Sequence, residues 1–350
     1  MSGGAGPLPG EVGPLPGRLV AVALERFGLS LGRGASATFV RHGENTTYRV
    51  TAGDGRQLAL RIDRPGYQTI EATRSELAWM DSLRASGVRT APAVPGLDGD
   101  PVQTVFLASD LVRTAVMFEW IDGAPLSAIG ELEPWSRLGE LMARIHVHGQ
   151  HWTRPAWFTR PAWDADALVG DEPRWGPPDP EGVFSDEDRG VLEECRAEVL
   201  GRLEALGTAS DRFGLIHADL GFENALVADD GTVTIIDFDD SGDSWYLGEL
   251  ASALYPHDRT EDFGERRDAL VAGYRRVREL PDEPLAELPT FLMARRIQTL
   301  GWMFSRPETA HAERQRPRRI QSTPPATRDY LAWARSHPVG IKRRRERSYG

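Results

Sequence analysis

Two residue types that carry much of protein chemistry are nearly missing from this 350-residue chain: it has one cysteine, Cys195, and one lysine, Lys342. A single cysteine excludes an internal disulfide and a cysteine-rich zinc site. With its only lysine close to the C-terminal end, the body holds no G-x-x-x-x-G-K-[ST] phosphate loop and no Schiff-base lysine. No run of about 18 apolar residues exists, so no transmembrane helix and no membrane partner is expected. The first 17 residues are rich in Gly and Pro. They lack the basic and apolar regions of a secretory signal and read as a mobile leader. Together these absences point to a cytoplasmic protein.

The charge is uneven. From Ala312 onward there are 11 basic and 3 acidic residues, a charge of +8, while the rest of the chain carries −19. An acidic body argues against nucleic acid as a partner. The stretch 312–350 reads as a solvated basic tail.

Hydrophobic periodicity divides what remains. Residues 18–28 fit a short amphipathic helix. Strand patterns follow at 37–41, 45–51, 57–63, 103–107 and 115–119, and a helix at 69–86 carries Ile70, Thr73, Leu77, Met80 and Leu83 on one stripe. Within 57–63, Leu58, Leu60 and Ile62 share one face, and Ala59 and Arg61 the other. The pattern breaks at 118–123. Beyond it the chain turns helical, around 135–145, 192–206, 245–254, 263–280 and 285–304. The stretch 149–185 is rich in Trp, Pro and Asp and is too long for an idle loop. His146 and His148, near a helix end, suit structural or capping roles.

The most informative stretch is His217-x-Asp219-Leu220-x-x-x-Asn224, followed by a short strand, an Asp-Gly turn and an apolar strand ending at Asp237-Phe238. That is the spacing of the kinase catalytic loop H-R-D-L-x-x-x-N, with Asp237 in the place of the D-F-G aspartate and Asp239 in that of its glycine. Phosphoryl transfer is mainly positioning and charge neutralisation. Asp219 can accept a hydroxyl proton, and Asn224 and Asp237 offer hard oxygens for Mg²⁺.

In these residues the chain resembles the aminoglycoside phosphotransferase/choline kinase superfamily. Within it the nearest branch is the one holding type II homoserine kinases and the stress-response kinase. The likeness runs from about residue 24 to 304, with His217-x-Asp219 and Ile236-Asp237-Phe238-Asp239 as its most specific parts. It implies an α+β, bilobal protein-kinase-like fold. A leader, 1–17, would precede a small five-stranded nucleotide-binding lobe, 18–117, and a hinge, 118–123. A larger, mainly helical catalytic and acceptor-binding lobe, 124–311, would end at the basic tail. The resemblance also implies that Ala59 lies against the adenine and that Arg61, standing for the usual lysine, grips the phosphates with Glu76 as its partner. Arginine keeps the charge but changes reach and geometry. Asn45 and Thr46 sit where the nucleotide loop belongs, and Glu119 and Ile121 where hinge backbone binds the purine.

The same likeness places the acceptor beside 149–185, where Trp163 and Asp164 match the R-P-x-W-D segment of the stress-response branch. Asp240, Asp243 and Glu249 suit a cationic acceptor. Arg295 and Arg296 suit an acceptor carboxylate, and the two readings stay open side by side. The expectation is a Mg²⁺-dependent kinase, using ATP or GTP, that phosphorylates a hydroxyl of a small molecule such as an antibiotic or other natural product. A protein Ser/Thr kinase, or a nucleotide-binding pseudokinase suggested by Arg61, are the alternatives. Oligomeric state is left open.

Overall fold

The computed structural model describes residues 15–31, 34–108, 111–128 and 132–339. Most of the expected leader and the end of the expected tail, with Lys342, lie outside the described residues. The first half of the chain contains α1 (Gly17–Arg26), β1 (Ser36–His42), β2 (Asn45–Thr51), β3 (Gln57–Asp63), α2 (Ile70–Ala85), β4 (Ala93–Val94), β5 (Val102–Ala108), β6 (Leu111–Glu119), β7 (Ala124–Pro125), α3 (Glu133–His151) and α4 (Ala165–Val169). The second half contains α5 (Asp186–Leu206), β8 (Phe213–Ile216), β9 (Ala225–Val227), β10 (Val233–Ile235), β11 (Gly242–Trp245), α6 (Tyr246–Leu254), α7 (Phe263–Arg275), α8 (Asp282–Leu285), α9 (Leu288–Ser305) and α10 (Ala310–Ser336).

Two compact units emerge. The first takes the described residues up to Pro125, with Thr153–Arg160 and Asn224–Asp239. Its main sheet is antiparallel, in the order β1-β2-β3-β6-β4, with β5 also paired to β6. It has six strands rather than the expected five. The additional one, β4, is two residues long and lies between Pro92 and Pro95, too short to show a period. The alternation in β3 sorts the side chains as the pattern predicts. Leu58, Leu60 and Ile62 pack into a core with Leu19, Val20, Ala23 and Leu24 of α1. Ala59 and Arg61 turn to the opposite face. Helix α2 starts where the Thr69 side chain accepts the Ala72 N–H at 3.1 Å, and it ends before Gly87, whose φ of +91° suits glycine. A second small sheet, β10-β9-β7, carries the segment from Asn224 to Asp239.

The second unit takes Leu126–Trp152, Pro161–Glu223 and the described residues from Asp240 onward. Helices α3 and α7 approach so closely that a Cβ on Gly139 would fall 2.0 Å from the Leu270 carbonyl oxygen, and one on Gly273 would fall 1.9 Å from that of Ser136. Strands β8 and β11 pair antiparallel, with Leu215 opposite Asp243.

The expected end of the folded unit at residue 311 is corrected by α10. This helix runs 27 residues through Pro317, Pro324 and Pro325 and buries Thr327, Tyr330, Leu331 and Ala334. Each internal proline forfeits a backbone hydrogen bond and costs about 3 kcal/mol in an isolated helix. Packing offsets that cost. Arg202 of α5, itself buried, donates to the carbonyls of Ala334 and His337 at 2.9 and 2.5 Å and stacks on Trp333. Two of its basic residues are not merely solvated: Arg328 pairs with Glu187 and Asp188, and Arg335 with Glu194, all on α5. Replacing Tyr330 by Ala should therefore destabilise the chain by about 3 kcal/mol, the usual cost of emptying a buried aromatic site. Removing residues 312–350 should lower the melting temperature far more. A truncated chain that melts like the intact one would restore the boundary at 311.

Candidate active site

The first unit holds a cleft of ≈ 870 Å³. Ala59, Arg61, Glu76, Glu119, Ile121 and Asp237 line it, together with Arg41, Thr47, Phe118 and Trp120. Asn45 and Thr46 do not line it. Asn45 donates to the Asp239 carboxylate at 2.6 Å, and Thr46 is buried and hydrogen-bonded to His42 at 2.9 Å, so both brace the hairpin. Sequence reasoning missed Arg41. The only signal was its place at the start of the same loop.

Arg61 is 5% exposed. Its Nη1 and Nη2 donate to Glu76 at 2.6 and 2.9 Å, and its Nε donates to Asp63 at 3.1 Å. Burial and the neighbouring Glu76 push Asp63 up to about 6, against the pull of Arg61.

Asn224 and Asp237 are joined by the β9–β10 hairpin, in which Ala225 pairs with Ile235 and the Ile236 N–H donates to the Asn224 carbonyl at 2.9 Å. Asp237 has φ of 67°, a left-handed conformation that is costly for a non-glycine residue. Its flanks hold it there. Phe238 is buried edge-on against Trp79, and the Asp239 carbonyl accepts from Gln68 at 2.8 Å. The Asp237 carboxylate is ion-paired with Arg41.

In the second unit Asp219 follows Ala218, whose φ is 69°. The loop is anchored from below: the buried Glu249 Oε2 accepts the His217 N–H at 2.9 Å and bonds His146 Nε2 at 3.2 Å. Burial lowers His146. Burial alone would raise Glu249, but the bonds from His146 and His217 hold it below its usual value. Glu249 is thus an anchor rather than an acceptor ligand, and His146 is structural, as expected.

A pocket of ≈ 390 Å³ in this unit is lined by Trp163, Leu168, Trp175, Ala218, Phe291 and Arg295, among others. Arg295 donates to Asp219 Oδ1 at 2.5 Å and lies over the Trp175 ring. Trp163 is fixed by its indole N–H, which donates to the Asp240 carbonyl at 2.7 Å. The other expected acceptor residues fall elsewhere. Asp164 caps α4 through the Ala167 N–H. Arg296 is 1% exposed and paired with Asp258 at 2.5 Å. Asp240 is buried, Asp243 sits in β11, and neither lines the pocket.

The raised Asp63 gives a pH test. A carboxyl whose folded value lies above its unfolded one stabilises the fold at low pH, and that stability is lost as pH rises through about 6. Asp63→Asn should therefore gain about 1 kcal/mol on the wild type between pH 5 and 7.5. A difference in melting temperature that is flat with pH would refute this.

The sequence profile of the phosphotransferase enzyme family matches residues 36–282. An uncharacterized protein of Deinococcus radiodurans is 30% identical over 82% of each chain. Amicoumacin kinase of Bacillus subtilis is 25% identical over 81% of this chain and 83% of its own. The structure of a microcompartment-associated aminopropanol kinase superposes with a TM-score of 0.81 at 35% identity, covering 90% of this chain and 98% of that one. The antiparallel sheet and helical part are those of kinase-like phosphotransferases, and the chain belongs to the phosphotransferase enzyme family.

Proposed function

We propose that the chain transfers the terminal phosphoryl group of ATP or GTP to a hydroxyl of a compact amino alcohol, with Asp219 as the base that accepts the hydroxyl proton. The observation that carries this reading is the bond from Arg295 to Asp219, which ties the carboxylate to a residue lining the ≈ 390 Å³ pocket. The pocket is small and walled by the rings of Trp163, Trp175 and Phe291, which suits a compact acceptor better than a polypeptide. The similarity to an aminopropanol kinase supports the amino alcohol class. The first unit is then the nucleotide-binding part and the second the acceptor-binding part, in a cytoplasmic enzyme.

The donor set suits Mg²⁺. Asp237 offers a carboxylate and Asn224 an amide oxygen, and Mg²⁺ takes one or two such ligands and completes its shell with phosphates and water. The carboxylate of Asp237 already attracts a cation, Arg41. When bound, the metal would neutralise charge on the phosphates.

A second reading, phosphorylation of an antibiotic or other natural product, is favoured by the similarity to amicoumacin kinase across four-fifths of the chain. A panel of short amino alcohols, hydroxy amino acids, antibiotics and a protein control, with Mg²⁺ and either nucleotide, separates these readings. Turnover confined to the protein control would overturn both.

Asp219→Asn should keep nucleotide affinity and lower kcat by about 10²–10⁴-fold. Near wild-type turnover would remove Asp219 from the role of base. Asp237→Ala should abolish the Mg²⁺ dependence of nucleotide binding, read by titration with and without the metal. An unchanged dependence would count against its role as a metal ligand.

A further inference from the structure

The cleft of the first unit contains two arginines, and their surroundings differ. Arg61 gives all three of its nitrogens to the carboxylates of Glu76 and Asp63 inside the protein. Two carboxylates thus surround one guanidinium, leaving little net positive charge for a nucleotide. Arg41 has a side chain 51% exposed and bonds the Asp237 carboxylate. It reaches the cleft because the register of β1 against β2 shifts between Phe39 and Arg41. Consecutive strand residues normally face opposite ways, yet Val40 and Arg41 both line the cleft. Such a bulge re-aims a side chain, commonly beside a functional site.

We propose that Arg41 is the cation that receives the phosphates of the nucleotide, and that in the nucleotide-free chain it neutralises Asp237 until a metal–nucleotide complex displaces it. The proposal rests on the kinase reading above and assigns Arg61 to holding Glu76 and Asp63. The exchange is favourable on simple grounds. A half-exposed ion pair is weak and screened by salt. A polyphosphate offers the guanidinium several oxygens in bidentate geometry.

The test uses the full chain and its Arg41→Ala and Arg41→Lys variants. Calorimetric titration with a non-hydrolysable ATP analogue and Mg²⁺ should show affinity about tenfold weaker in Arg41→Ala, the loss expected for one charge-assisted contact. Arg41→Lys should recover part of it. Mn²⁺ alone, followed by its paramagnetic signal, should bind the nucleotide-free Arg41→Ala chain more tightly than the wild type, because Asp237 is released. Unchanged or tighter analogue binding in Arg41→Ala would overturn the proposal. A wild type that binds no nucleotide would instead overturn the kinase reading on which it rests.

Discussion

One buried carboxylate oxygen, Glu249 Oε2, positions the chemistry of the second unit. It accepts from the His217 backbone and from His146. A buried carboxylate is costly unless hydrogen-bonded, so the loop and the acid hold each other in place. The chain of bonds fixes the tautomer. Arg278 donates to the Tyr274 hydroxyl at 3.0 Å, leaving the hydroxyl hydrogen for His146 Nδ1 at 2.9 Å. His146 Nε2 then carries the hydrogen that Glu249 accepts. With His217 held, the left-handed Ala218 can persist and present Asp219.

The first unit solves a similar problem with opposite charges. Arg61 is held by two carboxylates as Glu249 is held by two donors. In each unit the buried network immobilises the backbone near the site, while a more accessible arginine, Arg41 or Arg295, bonds the acid proposed to act. Rigid networks fix geometry, and less committed cations can exchange partners.

The segment proposed to carry the chemistry is legible in the sequence because its order lies in local spacing. Asp219, Asn224 and Asp237 are ordered by one loop and one hairpin, and the β3 alternation separated Leu60 from Arg61 correctly. What was hidden depended on partners far away in sequence. The β1 bulge accompanies Arg41 in the cleft lining, while Asn45 and Thr46 of β2 are held by Asp239 and His42. Strand β4 exists only through its pairing with β6. Arg296 differs from Arg295 by one helix position, which is enough to turn it from the pocket to Asp258.

Helix α10 shows why proline and charge misled together. Three prolines and a run of arginines describe a solvated tail when read alone. The acidic residues that answer those arginines, Glu187, Asp188 and Glu194, lie some 140 positions earlier on α5. Exposed pairs of this kind contribute little each. Their value lies in register: they align α10 so that Tyr330 and Leu331 are buried and Arg202 meets its last carbonyls. For Arg328 and Arg335, then, the charge contrast between α10 and α5 is a complementarity within one unit.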